Sequence, residues 1–166
     1  MRQYDDLKRS LRGAVWGLGA TVAMTAVMVV GALVLRSSFA RPPFPYLFIE
    51  HWLPHTSGAP SGAITLAAHF AYGAFLGMLF AYFSEPMTVA KGVGFSTLVW
   101  AAMQVILVPW LGWGDFGLIQ ISPLFAVYTL TLHLVYGVTV GALGARDDRV
   151  HHATFDDLGR LRPHSV

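Results

Sequence analysis

The chain has 166 residues, 55% of them hydrophobic and 12% charged, and it contains no cysteine. A soluble domain carries about 25% charged residues, so this composition, with a mean hydropathy of +0.55, excludes an ordinary soluble globule. Disulfides and thiolate metal centres are excluded too, and a formal net charge of +2 with interleaved acids carries no nucleic-acid footprint.

Residues 1–12 hold Arg2, Lys8, Arg9 and Arg12 against Asp5 and Asp6, with Leu7 and Leu11 four apart. This pattern predicts a short cytoplasmic juxtamembrane helix lying at the headgroups, where basic residues favour anionic lipid. Four apolar runs follow, over 13–35, 63–83, 92–112 and 123–144, without a single Asp, Glu, Lys or Arg. A bilayer crossing needs about 20 apolar residues, so each run predicts a transmembrane helix. The first is too long for a signal-peptide core, and Arg36 follows it. It carries Gly13, Gly17, Thr21 and Thr25 at four-residue spacing, a small-residue stripe of the kind that packs helices closely in lipid.

The connection 36–62 is punctuated by Pro42, Pro43, Pro45, Pro54 and Pro60, which disfavour a continuous helix. Its aromatic piece 46–53 is too short to span and suits the membrane–water boundary. Glu50, His51 and His55 cluster there and form a weak candidate metal site, with solvated loop residues as the alternative. The second span ends at Ser84-Glu85-Pro86, and the short loop after it holds Lys91. The third span opens with Gly92, Gly94 and Ser96, places Gln104 at mid-depth and closes at Pro109-Trp110. Ser122-Pro123 starts the fourth span, serine as N-cap and proline in the first turn. The polar tail, 145–166, reads as a loose cytoplasmic segment.

Lys and Arg number nine on the N-terminal, 84–91 and C-terminal side, against Arg36 and Arg41 on the other. The positive-inside rule then makes both termini cytoplasmic. Within the second and fourth spans one pattern recurs at a fixed offset of 64: Leu66, His69, Tyr72, Gly73, Gly77 and Leu79 answer to Leu130, His133, Tyr136, Gly137, Gly141 and Leu143. A weaker match at offset 79 sets Gly13, Ala23, Met24 and Val29 against Gly92, Ala102, Met103 and Val108. The predicted fold is an all-α membrane protein of four transmembrane helices. Two parallel-repeat hairpins would be related by a pseudo-twofold axis along the membrane normal.

His69, Gly73 and Gly77 share one helix face, as do His133, Gly137 and Gly141. Three readings of the histidines stand together. They can be neutral groups hydrogen-bonded across the bundle to Thr, Gln or a carbonyl. They can be the axial ligands of a b-type haem, with Gly73 and Gly137 leaving room for the porphyrin. Or they can form a site for a small molecule, quinone or proton, with Tyr72 and Tyr136 as partners. No span carries a carboxylate, and no Ser-His-Asp set, His-Glu-x-x-His motif or phosphate loop is present. A catalytic activity of its own is therefore not expected.

The glycine-rich first span with Ala23-Met24-Thr25, followed by paired His-x-x-x-Gly helices, resembles small uncharacterised YagU-like inner-membrane proteins of bacteria and archaea. That resemblance implies four helices in a prokaryotic cell membrane and transfers no catalytic residue. The expectation is a non-catalytic integral membrane protein, an accessory subunit of a larger complex or a homo-oligomer. Its partners are lipid and other membrane chains, not nucleic acid. The alternatives are a haem b redox anchor and a small-molecule or quinone-binding or transport protein.

Overall fold

The computed structural model describes residues 2–35, 59–118 and 123–160, and every long element among them is helical. Helix α1 spans Arg2–Leu35 and α2 spans Ala59–Phe83. Helix α3 starts as Val89–Ala102, passes through a π-helical turn at Met103–Leu107 and ends in the α turn Val108–Trp110. Helix α4 spans Pro123–Arg160. Among the described residues four stretches are long and apolar enough to cross a membrane: Leu7–Gly31, Gly62–Phe83, Val89–Trp110 and Leu124–Val150.

Two expectations are corrected. The N-terminal segment is not a separate surface helix, because α1 runs unbroken from Arg2; no proline or other breaker lies between it and the apolar run. The C-terminal segment is not loose as far as Arg160, where α4 ends. Its start is tied down: Arg12 Nη1 lies 2.9 Å from Asp147 Oδ2, and the Met87 N–H donates to Asp148 Oδ2 at 2.9 Å. The start of α1, the 84–88 connection and the continuation of α4 thus meet at one end of the bundle. There Arg9 pairs with Glu85 at 2.8 Å and also donates to the Ser84 carbonyl. Glu50, His51 and His55 lie outside the described residues.

The α3 start is capped by Thr88, whose hydroxyl accepts from the Lys91 N–H at 3.2 Å. Its π turn has a local cause. Pro109 has no N–H to give, and in a straight α-helix its ring would collide with the Val105 carbonyl four residues back. The backbone widens instead, and the Val108 N–H reaches Met103 O, five residues away. Beyond α3 the chain turns sharply through Gly112, Gly114 and Gly117, all at φ near +70 to +77°.

Packing pairs α1 with α2 and α3 with α4, and the two pairs join mainly through α1 against α4. Both pair seams are glycine to glycine. A methyl group added at Gly77 would stand 2.7 Å from the Gly17 Cα, and one at Gly92 would stand 2.9 Å from the Gly141 Cα. Only glycine lets the backbones come this close, and closeness is what stabilises helices in lipid, where tails are as apolar as leucine and dispersion must supply the attraction. Trp16, Ala20, Leu76, Phe80, Ala81, Met87, Tyr136 and Val140 fill the core beside these seams. A more polar layer follows along the helices, around Thr21, Thr25, His69 and His133. Helices α2 and α3 approach through side chains, with the Phe80 and Phe95 rings 5.6 Å apart.

Candidate functional site

One cavity of about 30 Å³ is lined from all four helices. Thr21 and Met24 come from α1, His69, Tyr72, Gly73 and Leu76 from α2, Phe95, Ser96 and Val99 from α3, and His133 and Tyr136 from α4. Five of the six candidate ligand-binding residues therefore face a common space: His69, His133, Tyr72, Tyr136 and Gly73. The sixth, Gly137, packs against α3, where an added methyl would come 2.9 Å from the Ser96 Cβ. The small residues assigned to helix packing are placed as follows: Gly13 and Gly17 lie against α2, Thr21 over Gly73, Gly77 against α1 and Gly141 against Thr88 and Val89. Thr25 instead serves the histidine.

The hydrogen bonds around the cavity assign the proton on each imidazole. Thr25 has one hydroxyl hydrogen and donates it to the Thr21 carbonyl at 2.7 Å. The Thr25 oxygen can then only accept, so at 3.0 Å from it His69 Nε2 is the donor. His133 Nδ1 lies 2.7 Å from the Thr129 carbonyl, which can only accept, so Nδ1 carries that proton. In the neutral imidazoles His69 Nδ1 and His133 Nε2 are left as bare acceptors. His69 is thus bonded across the bundle, whereas His133 is bonded within its own helix.

The hydroxyls are similarly committed. Thr21 donates to Gly17 O at 2.8 Å and Ser96 to Val93 O at 3.1 Å. Tyr136 is buried at 3% exposure and donates across the bundle to Gly73 O at 2.7 Å. Tyr72, its counterpart in the repeat, stands half exposed at the rim of the cavity.

A second polar group sits on α4 one turn before His133. Thr129 Oγ1 accepts from Gln104 Nε2 at 2.8 Å and from Trp100 Nε1 at 3.2 Å, and donates to Phe125 O at 2.9 Å. Gln104 is fully buried, and its Oε1 has no partner among the described residues. Thr129 is absent from the sequence-derived site, yet a signal existed: Thr65 and Thr129 also match at the offset of 64, four residues before each histidine.

The donor set limits the chemistry. Among the described residues no three His, Cys, Asp or Glu side chains converge on one point. The site does not fit a porphyrin: cofactor and drug-sized pockets run to about 300–1,000 Å³. The faces of Gly73 and Gly137 are covered by Thr21 and Ser96. The glycines beside the histidines admit a helix, not a flat ring. No family model, curated protein or solved structure matches this chain.

Proposed function

We propose that the chain is a non-catalytic integral membrane protein that acts as an accessory subunit, docking other membrane chains or a second copy of itself on the outer face of α2. The observation that carries this is an aromatic stripe. Phe75, Tyr82 and Phe83 are 53%, 62% and 73% exposed. At 3.6 residues per turn they fall within an arc of about 100°. Lipid asks only for an apolar surface there, not for an aromatic one. Aromatic side chains are enriched where proteins meet proteins.

A photo-activatable phenylalanine analogue at Phe75 or Tyr82, in native membranes, tests this. The expected result is a discrete protein adduct at both positions and none at Leu98, an exposed residue of α3. Lipid adducts alone at all three positions refute the docking face.

The chain is further read as a duplicated hairpin. Its support is the correspondence of close approaches: Gly13 on Gly77 answers to Gly92 on Gly141 (13 + 79, 77 + 64), and Gly17 on Gly73 to Ser96 on Gly137 (17 + 79, 73 + 64). A pseudo-twofold along the membrane normal would follow. The halves differ in their joint, since α1 lies close along α4 while α2 and α3 do not approach comparably. In this reading the end that gathers Arg9, Arg12 and Lys91 faces the cytoplasm by the positive-inside rule, and the resemblance to small YagU-like proteins points to a prokaryotic cell membrane.

A further inference from the structure

We infer that the four-helix cavity binds a small neutral hydrogen-bond donor of the water or ammonia class, held between His69 Nδ1 and His133 Nε2. The inference goes beyond docking and does not depend on it.

Size comes first. A space of about 30 Å³ takes one or two molecules as large as water, since one needs about 10–15 Å³. Polarity comes next. Among the lining groups the protons of Thr21, Ser96, Tyr136, His69 Nε2 and His133 Nδ1 are already given to protein acceptors. Apart from the Tyr72 hydroxyl at the rim, what the lining still offers is lone pairs, above all the two sp² nitrogens, to which no described residue donates. A guest rich in acceptors, such as a carbonyl or a quinone head, would find that one hydroxyl and otherwise oxygen and nitrogen lone pairs, and would leave both imidazole nitrogens unsatisfied. A donor finds both nitrogens. Charge comes last. The lining contains no Asp, Glu, Lys or Arg, so an ion would enter hydrocarbon without a counter-charge.

Tyr72 completes the description. It lines the cavity, and among the lining hydroxyls it is the one with no hydrogen-bond partner among the described residues. Water and ammonia each have at least two N–H or O–H bonds and at least one lone pair. Either can donate to the two imidazoles while accepting from the phenol.

The experiment uses the full chain, ¹⁵N-labelled at histidine, in lipid nanodiscs. Imidazole nitrogen shifts are recorded by NMR with magnetisation transfer from bulk water, then with ammonium chloride titrated at alkaline pH. Transfer from water to His69 Nδ1 and His133 Nε2 that ammonia leaves unchanged identifies water as the guest. A saturable shift of both nitrogens on adding ammonia identifies ammonia. In that case Tyr72→Phe raises the concentration for half the shift roughly tenfold, the equivalent of one hydrogen bond. If wild-type protein shows neither water transfer nor a response to ammonia, the inference is overturned, and that reading needs no variant to fold.

Discussion

Substituting Gly77→Ala is the sharpest test of the packing. The new methyl would lie 2.7 Å from both the Cα and the N of Gly17. Carbon atoms sit comfortably at about 3.5–4.0 Å, so α1 and α2 must part by about 1 Å. What it meets is backbone, which cannot swing aside as a flexible side chain would. Overpacking of this kind costs about 1–3 kcal/mol, and alanine returns up to about 1 kcal/mol of helix propensity. The expected net loss is about 1 kcal/mol, near a fivefold fall in the folded-to-unfolded ratio, and the expected gap to an alanine that meets nothing is about 2 kcal/mol. Gly94→Ala is the matched control: it also lies in a helix, and an added methyl there meets nothing within 4 Å. It should leave stability unchanged or raise it by up to about 1 kcal/mol. Both are read from tryptophan fluorescence during unfolding in mixed micelles. The comparison cancels the propensity term, so the difference between variants reports the seam alone. If Gly77→Ala and Gly94→Ala unfold together, the glycine seams do not hold the hairpins.

Other substitutions probe the polar layer. Thr25→Val and His69→Phe, singly and together, should show a coupling of about 0.6–2 kcal/mol, the range for hydrogen bonds between membrane helices; zero coupling in the double-mutant cycle would remove the bond that sets the His69 tautomer. Gln104→Leu loses one hydrogen bond but also removes the buried Oε1 that has no partner among the described residues, so stability should change by no more than about 1 kcal/mol in the same unfolding assay. Asp148→Ala withdraws the acceptor of the Met87 N–H, and hydrogen exchange at that amide should speed up while the Gly77 seam stays protected. Glu85→Ala should cost under about 0.5 kcal/mol, because the Glu85 side chain is 81% exposed and solvated pairs contribute little; a loss above about 1 kcal/mol would show that the ion pair with Arg9 holds α1 to the 84–88 connection.

Much of the architecture was legible in the residues. Uncharged apolar runs of membrane length state how many helices cross, because hydrocarbon excludes charge and leaves every backbone group to pair within its own helix. Glycine every fourth residue marks the faces where helices touch, and the described seams use those faces. The histidines, the tyrosines and Gly73 were singled out by their repetition, and they border one space.

Tertiary structure decided the rest, since the answers depend on how far each helix is rotated and how deep it sits. Thr21 and Ser96 cover Gly73 and Gly137, so the clearance below each histidine belongs to a neighbouring helix and not to a haem. Thr25 rather than a carbonyl holds His69, while His133 turns back to its own helix, and from this follows which nitrogen of each ring is bare. Pro109 could be seen in the sequence as a disturbance, but that it would widen one turn and coincide with Gln104 facing Thr129 depends on α4 lying opposite. Hydropathy and periodicity are properties of a single helix. Rotamers, tautomers and the shape of the space between helices belong to pairs and quartets of them, and those exist only once the helices have packed.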